Sequence, residues 1–509
     1  MALVLAGVVA CGGGSKNEGS TAGKACAAAS DCGALVCVAG KCVASAPAAA
    51  SCTLPSRPTL TLGDPMTATE PVGCETPIRA PVIAAQSLGE HQVGEQVSFQ
   101  VPEGTWSVTI VSQEVAGSAA DTIDLQGVAI PNSVVPTDVT APDGRVLFDD
   151  LAPVPLDDQG YPDFTQLLGY YGGFTPTSGA LTLPDTSPSL DLVRSAGGLP
   201  SGTWRLTVND FARECGAVSG CSTGSSSGRY DLHVLTRPGP IASTGALDLD
   251  VYIASADVTA AQAVGDPQME RLFRSVATVL GNAGICLGNV TFHDLPEWAR
   301  VKYAIVNVDS TGPCDPLSQL FTLGLAQSPS VHLFLVDGLD VTDNGDQFQI
   351  AGIDGSIPGP SGVPGTVNGG AVVTLGNFGR EVRPGDCSRS TLNLSRCGTD
   401  HMAYVVAHEA GHWLGLYHST ERSGTLFDPL ADTPTCACAV CAPTAERASC
   451  ADKNPSGAAT DMIGDFCASD AATCAGASNL MFWLLDDARS NGSVTAQQAE
   501  VMRLNPAVR

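Results

Sequence analysis

The chain has 509 residues, enough for two or three domains with cores of their own. Hydrophobic residues make up 44% and charged residues only 15%, so the chain is not a disordered one; 25 basic against 52 acidic side chains leave a net charge of −27, a field that repels phosphate backbones and argues against a nucleic-acid partner. Gly (56) and Pro (34) are plentiful and aromatics amount to 5%, a composition of turn-rich β domains rather than helix bundles, and no apolar run reaches the ~18 residues of a membrane-spanning helix.

The N-terminus opens with a short apolar run that ends in small residues and a cysteine, Val8-Val9-Ala10-Cys11, followed by a polar Gly/Ser tether. This run resembles a bacterial lipoprotein signal, although no Lys or Arg precedes it; an ordinary signal peptide is the plainer alternative. The resemblance implies a signal over 1–10, lipid on Cys11, and an outer-membrane or cell-surface lipoprotein, or a secreted protein, that meets a membrane only through that anchor. The cysteine content agrees with export, because 19 cysteines suit an oxidising compartment, and setting Cys11 aside leaves an even number for pairing. Cys26, Cys32, Cys37, Cys42 and Cys52 then crowd an Ala-rich stretch with no histidine nearby, which reads as a disulfide-stapled stalk closing a segment over 11–58 rather than as a metal knuckle.

From 59 to 240 the text reads as strands. Val97-Ser98-Phe99-Gln100-Val101, Trp106-Ser107-Val108-Thr109-Ile110 and Trp204-Arg205-Leu206-Thr207-Val208 alternate apolar and polar residues at period two, and Tyr230-Asp231-Leu232-His233-Val234 adds another. The expected product is an antiparallel β-sandwich, jelly-roll-like. The phrase around Trp204, with the later Gly228-Arg229-Tyr230, resembles the P-domain found beside secreted proteases; a generic sandwich without a ligand reads equally well.

Pro238-Gly239-Pro240 marks a boundary, and the pattern then changes to an α/β or α+β domain over 241–509. Asp266-Pro267 caps and starts a helix carrying Met269, Leu272, Phe273, Val276 and Leu280 at helical spacing. Residues 301–308 and 331–336 read as buried strands. A Gly/Pro-rich loop spans 352–370 and precedes a strand from Ala371. A helix begins near Thr399, and the last helix has a capping box, Thr495 with Gln498.

Three of the eight histidines fall within eleven residues: His408, His412 and His418, with Glu409 and Gly415 between them. His408 and His412 stand four apart, so both imidazoles project from one helix face about a turn apart, at a spacing that suits two positions around Zn²⁺. Gly415 can adopt positive φ and end the helix, after which His418 can approach as a third ligand. Three protein ligands with a fourth position open to water is the catalytic rather than the closed structural arrangement. Glu409, directly after the first ligand, is placed to take a proton from that water and hand it to a leaving amine, which is peptide hydrolysis without a covalent intermediate.

The run His408-Glu409-Ala410-Gly411-His412-Trp413-Leu414-Gly415-Leu416-Tyr417-His418 resembles the metzincin zinc endopeptidases, and its second half is similar to the pappalysin branch. Asp432-Thr433-Pro434 and Asn479-Leu480-Met481 match two further segments of that branch. The resemblance implies a metzincin-type zincin domain with a disulfide-rich lower subdomain, Zn²⁺ as cofactor, protein or peptide substrates, and Met481 as the Met-turn methionine beneath the metal. It also implies an upper-rim edge strand that pairs with extended substrate, for which Ala371, Val372, Val373 and Thr374 are the candidates; a plain buried strand is the alternative. The chain departs from the pattern at Trp483, where the family has a tyrosine able to assist the transition state. Cys436, Cys438, Cys441, Cys450, Cys467 and Cys474 read as disulfides of the lower subdomain rather than a second zinc site, and Asp428, Asp432, Asp461 and Asp465 either bind Ca²⁺ or form a solvated acidic surface. The competing function is a catalytically silent, zinc-containing surface binding or adhesion protein.

Overall fold

The structure is a computed structural model. It describes residues 58–67, 86–115, 122–210, 228–441 and 474–509, apart from short breaks, and the backbone of two short strands, Leu35–Val38 and Lys41–Ala44. Cys11, Cys26, Cys32, Cys52, Cys450, Cys467, Asp461 and Asp465 lie outside these residues, as do the side chains of Cys37, Cys42 and Cys441. Among the described residues no helix is long and apolar enough to cross a membrane. The described chain is largely β, in several sheets, with a few helices.

Strand β1 (Thr59–Leu62) stands apart from those that follow it. Next come β2 (Gln86–Gln92), β3 (Gln96–Val101), β4 (Thr105–Glu114), β5 (Ser133–Thr140), β6 (Val146–Asp149), β7 (Ser178–Leu183), β8 (Gly202–Asp210) and β9 (Arg229–Pro238). They form two antiparallel sheets, ordered β6-β5-β8-β3 and β7-β4-β9-β2. Period-two patterning decides which side chains enter the space between them: in β3, Val97, Phe99 and Val101 are buried and the residues between them exposed. Phe99 meets Trp204 of β8 at 5.9 Å between ring centroids, and Val108, Ile110 and Leu232 of the other sheet share the same core. Trp204 satisfies its indole by donating to the Pro200 carbonyl at 2.7 Å. Helix α1 (Ser187–Ala196) links β7 to β8 and begins with a capping box between Thr186 and Ser189.

The second unit is built on β10 (Gly245–Ile253), helix α2 (Pro267–Gly281), β11 (Ile285–Asp294), β12 (Val331–Val336), β13 (Gly352–Asp354), β14 (Ala371–Thr374), α3 (Gly398–Trp413) and α4 (Ala496–Leu504). Its sheet runs β13-β14-β12-β10-β11-β1; every pair is parallel except β13 with β14. The apolar stripe of α2 foreseen from its spacing (Met269, Leu272, Phe273, Val276, Leu280) is fully buried in the core shared by β10, β11, β12 and α3. Asp266 caps α2 by accepting from the Gln268 amide at 2.6 Å, with proline in the first turn.

Three expectations need correction. The strand at 59–62, expected within the sandwich span, is the outermost parallel strand of the second sheet, with Thr59 opposite Asn289; its pattern identifies a strand but carries no information about a partner 230 residues away. Residues 301–308 are not one strand. Glu297–Lys302 is a helix with an acid in its first turn and Arg300 and Lys302 in its last, a charge order that suits the helix dipole, and only Ile305–Asn307 is extended. The strand at 371–374 is not at the edge: β13 covers its outer side, and Ala371, Val372 and Val373 are buried. The first three residues of the expected Gly/Pro-rich loop are therefore the true edge strand.

Disulfides join Cys387 to Cys397, the N-cap residue of α3, and Cys436 to Cys474. Cys438 is disulfide-bonded as well, which removes Cys436 and Cys438 from any thiolate metal site. A buried ion pair locks α3 against α2: Arg271 donates to Asp400 at 2.6 Å, and Asp400 also accepts from Ser275 at 2.9 Å and from the Asn393 amide at 2.8 Å. Removing one partner strands a charge away from water. Asp400→Ala is expected to cost about 3–5 kcal/mol of stability, read as a lower denaturant midpoint; an unchanged midpoint would mean that Arg271 finds water or another acceptor.

Candidate metal centre

Helix α3 is buried around nearly its whole circumference, the pattern of a helix enclosed by its own domain. It carries His408 and His412 one turn apart, with ring centroids separated by 4.8 Å. The helix ends where expected. Leu414 donates back to Ala410 at 3.0 Å, Gly415 adopts φ +105°, and the Leu416 amide returns to the Gly411 carbonyl at 2.9 Å. Positive φ is costly for residues with a Cβ, so glycine is required at this reversal. The chain then doubles back and brings His418 to the other two: its Nε2 lies 3.2 Å from that of His412 and 3.3 Å from that of His408.

Those short distances are informative because the tautomers follow from the partners. His408 Nδ1 faces the Leu480 carbonyl at 2.6 Å, His412 Nδ1 the Leu416 carbonyl at 2.7 Å, and His418 Nδ1 the Glu421 carboxylate at 3.1 Å. Each of these oxygens can only accept, so each Nδ1 carries the proton and donates. While the rings are neutral, all three Nε2 atoms therefore present lone pairs to one another. With Zn–N of ~2.0–2.1 Å, two nitrogens at tetrahedral positions stand about 3.3 Å apart, the separation found here. The donor set fits a divalent ion of the zinc type; among the described residues this is the one group of three or more potential ligands able to hold a metal.

Charges around the site keep two of the three imidazoles neutral. Burial, then the neighbouring His418, pushes the His408 imidazole down to about 3. Burial and the other two rings drive His412 well below the usual histidine range. Burial opposes protonation of His418 too, but the Glu421 carboxylate outweighs it and its pKa is raised. Glu421, three residues beyond the last ligand, orients it in the manner of an outer-sphere carboxylate; its spacing was the available signal, and the sequence reading passed over it.

Glu409 is almost wholly buried, and burial pushes its carboxyl up to about 8. A divalent charge held by the adjoining imidazoles would act in the opposite direction. The edge strand β13 crosses directly over it: a Cβ on Gly352 would stand 2.7 Å from Glu409 Oε1 and 2.6 Å from Val405 Cγ1. Glycine is needed there for close approach, a requirement no local pattern announces. Asp354, at the end of the same strand, has its carboxyl raised by burial and by Glu409.

Met481 is fully buried against α3: a Cβ on Gly411, between the two helical ligands, would come within 2.6 Å of its sulfur. Its turn is a built element. Met481 N donates to Asn479 Oδ1 at 2.8 Å, Asn479 Nδ2 donates to Gln498 on α4 at 2.8 Å, and Ser419 N donates to the Met481 carbonyl at 2.9 Å. The same turn supplies the Leu480 carbonyl that orients His408. Trp483 packs against the small cluster of Cys436, Cys474, Ala477 and Phe482. Asp428 accepts from Leu430 N and Gln498, and Asp432 from Gln497 N, so both are engaged by protein donors. Thr374 and its strand lie one position inward from the edge.

No protein-family model matches the chain, and no curated protein matches it. Among solved structures it is similar to metalloproteinase-II from Bacteroides fragilis at 14% identity, over 39% of this chain and 57% of that one, with a TM-score of 0.19. It is also similar to a family two carbohydrate esterase from Cellvibrio japonicus at 13% identity, over 52% of this chain and 66% of that one, with a TM-score of 0.10. This chain thus spans little more than half of the first structure's length, and TM-scores this low define no common fold.

The donor geometry makes a stoichiometric prediction. The chain is expected to hold one equivalent of Zn²⁺ after dialysis, and His408→Ala to weaken binding by more than the ~10–100-fold typical of losing an outer-sphere partner, read by competition with a chromophoric chelator. Equal retention by both proteins would remove His408 from the ligand set.

Proposed function

We propose that this protein is a zinc-dependent endopeptidase of the metzincin type, with His408, His412 and His418 as metal ligands and Glu409 as general base. The observation that carries the reading is the convergence of three Nε2 lone pairs beside a buried carboxylate one residue along the same helix. A Zn²⁺ ion in that triad supplies a Lewis acid that acidifies water and polarises a carbonyl. Glu409 accepts a proton from the attacking water as its oxygen bonds to the carbonyl carbon, then delivers that proton to the amide nitrogen as the C–N bond breaks. The products are a carboxylic acid and an amine, and no bond to the protein forms.

The edge strand supports a peptide substrate. β13 is hydrogen-bonded on one side to β14 and is terminal in its sheet, so its outer edge can pair with an extended chain laid beside Glu409. In this reading main-chain recognition belongs to 352–354, one strand outward from the 371–374 segment. The buried Met481 supplies the apolar floor under the ligands. Export fits the same reading: Cys286, Cys314, Cys387, Cys397, Cys436, Cys438 and Cys474 are disulfide-bonded, which belongs to an oxidising compartment. A surface lipoprotein tethered through Cys11, with the sandwich built from 86–238 and the catalytic unit over 241–509 joined by the strand at 59–62, completes the proposal. A silent surface binder rests on the P-domain-like sandwich, the Cys-rich stalk and Trp483 in place of the family tyrosine.

Glu409→Gln is expected to lower kcat/KM on a denatured protein substrate by about 10²–10⁴ while leaving the zinc content at one equivalent. Chelator-sensitive cleavage by the wild type separates the protease from the binder; full activity in the variant would overturn the role of Glu409.

A further inference from the structure

The segment that presents the third ligand is held within its own unit by the Leu416 amide on the Gly411 carbonyl and the Ser419 amide on the Met481 carbonyl. Residues 415–418 belong to neither helix nor strand, and the Leu416 carbonyl already accepts from His412. The hydroxyl of Tyr417, next to His418, is held from two sides. It accepts from the Gly172 amide at 3.1 Å and donates to the Ile357 carbonyl at 3.3 Å. Gly172 lies in the segment between β6 and β7 of the sandwich, whereas Ile357 lies in the segment that continues from β13. One hydroxyl therefore joins the third-ligand arm, the continuation of the edge strand and the sandwich.

The sandwich side of this joint is specific. Tyr170 meets the Tyr417 ring edge-on at 4.8 Å and is itself braced by Phe164 at 4.3 Å. The Tyr170 amide donates to Asp185 at 3.0 Å, and Thr186 Oγ1 donates to the Leu167 carbonyl at 2.6 Å, fixing the corner to the start of α1. A Cβ on Gly172 would stand 2.6 Å from the Tyr170 hydroxyl and 2.8 Å from Tyr417 Cε1, so only glycine lets the backbone reach the phenol. The contact continues beyond His418: Tyr161 packs against Phe427 at 6.1 Å, Ser187 N donates to the Pro429 carbonyl at 3.2 Å, and Ala431 N donates to Ser187 Oγ at 2.7 Å.

We infer that the β-sandwich is a working part of the metal centre: its Tyr170–Gly172 corner holds Tyr417, and through it positions His418 as the third ligand. Tyr417 and Gly172 are positioning residues that touch no substrate. The inference rests on the three-histidine site being a metal site. It assigns the sandwich a role besides surface binding, namely that the unit over 241–509 holds metal at full affinity only with the sandwich docked.

The test uses the full chain, stripped of metal and titrated with Zn²⁺ against a chromophoric chelator, with Co²⁺ loading to read ligand geometry from the visible spectrum. Tyr417→Phe removes the hydroxyl and keeps the ring, and Gly172→Ala drives a methyl group into both tyrosines. Each is expected to weaken Zn²⁺ binding by about 10–100-fold and to shift the Co²⁺ bands, with the circular dichroism of the fold retained. Ser107→Ala is the reference: Ser107 donates to the Leu504 carbonyl at 2.7 Å, another contact between sandwich and catalytic unit, and its loss is expected to lower stability with metal affinity unchanged. If the wild type binds one Zn²⁺ and Tyr417→Phe binds it equally well with the same Co²⁺ spectrum, the inference falls and the metal site stands. If Ser107→Ala weakens metal binding as much as Tyr417→Phe, docking in general rather than Tyr417 is responsible, and the assignment is overturned. If the wild type binds no metal, this inference and the proposed function fall together. Should Gly172→Ala not fold, Tyr417→Phe still decides.

Discussion

Three imidazole nitrogens with their lone pairs turned inward, 3.2 and 3.3 Å apart for the two pairs involving His418, repel one another unless a cation stands between them. The protein fixes them in that arrangement from behind. Each ring gives its Nδ1 proton to a different element: the Met481 turn, the reversal after α3, and Glu421. None of these acceptors can return a proton, so the rings cannot escape by changing tautomer. Protonation is resisted for two of them by burial, which holds His408 and His412 below the normal histidine range. Much of the second unit can be understood as what is needed to hold this geometry. The buried pair Arg271–Asp400 anchors the start of α3 to α2, and the capping box of α4 places Gln498, which holds Asn479 in the Met481 turn.

Glu409, beside the triad, lies under a strand rather than open to solvent. Gly352 allows β13 to pass within contact distance of Glu409, so the carboxylate and the outermost backbone of the sheet share one rim. A peptide paired with that rim, as the proposed function requires, would lie along the sheet edge with its carbonyls close to Glu409. Main-chain pairing of this kind sets the direction of a substrate and leaves side-chain preference to the surrounding loops.

The site was more legible than the architecture around it. The histidine spacing, the helix and its end at Gly415 follow from local rules of helical periodicity and glycine backbone freedom, which act within a dozen residues, whereas the place of Met481 comes from the resemblance of its segment to a known family. The sandwich strands were legible for the same reason: alternation in 97–101 and 204–208 marks one buried face. What was not legible depends on pairing across long separations. Nothing in Thr59–Leu62 tells it to cross to β11, and nothing in Gly352–Asp354 distinguishes an edge strand from the glycine-rich loop that follows. A three-residue strand is too short to carry a period. The same holds for the joint at Tyr417, whose partners Gly172 and Ile357 are 245 and 60 residues away.

X-ray absorption at the zinc edge of the zinc-loaded full chain tests the central claim most directly, since it reads the ligands without reference to activity. The account predicts three imidazole nitrogens at ~2.0–2.1 Å with the multiple-scattering pattern of histidine, together with one oxygen ligand. Sulfur at ~2.3 Å, or a shell with fewer than three imidazoles, would contradict it.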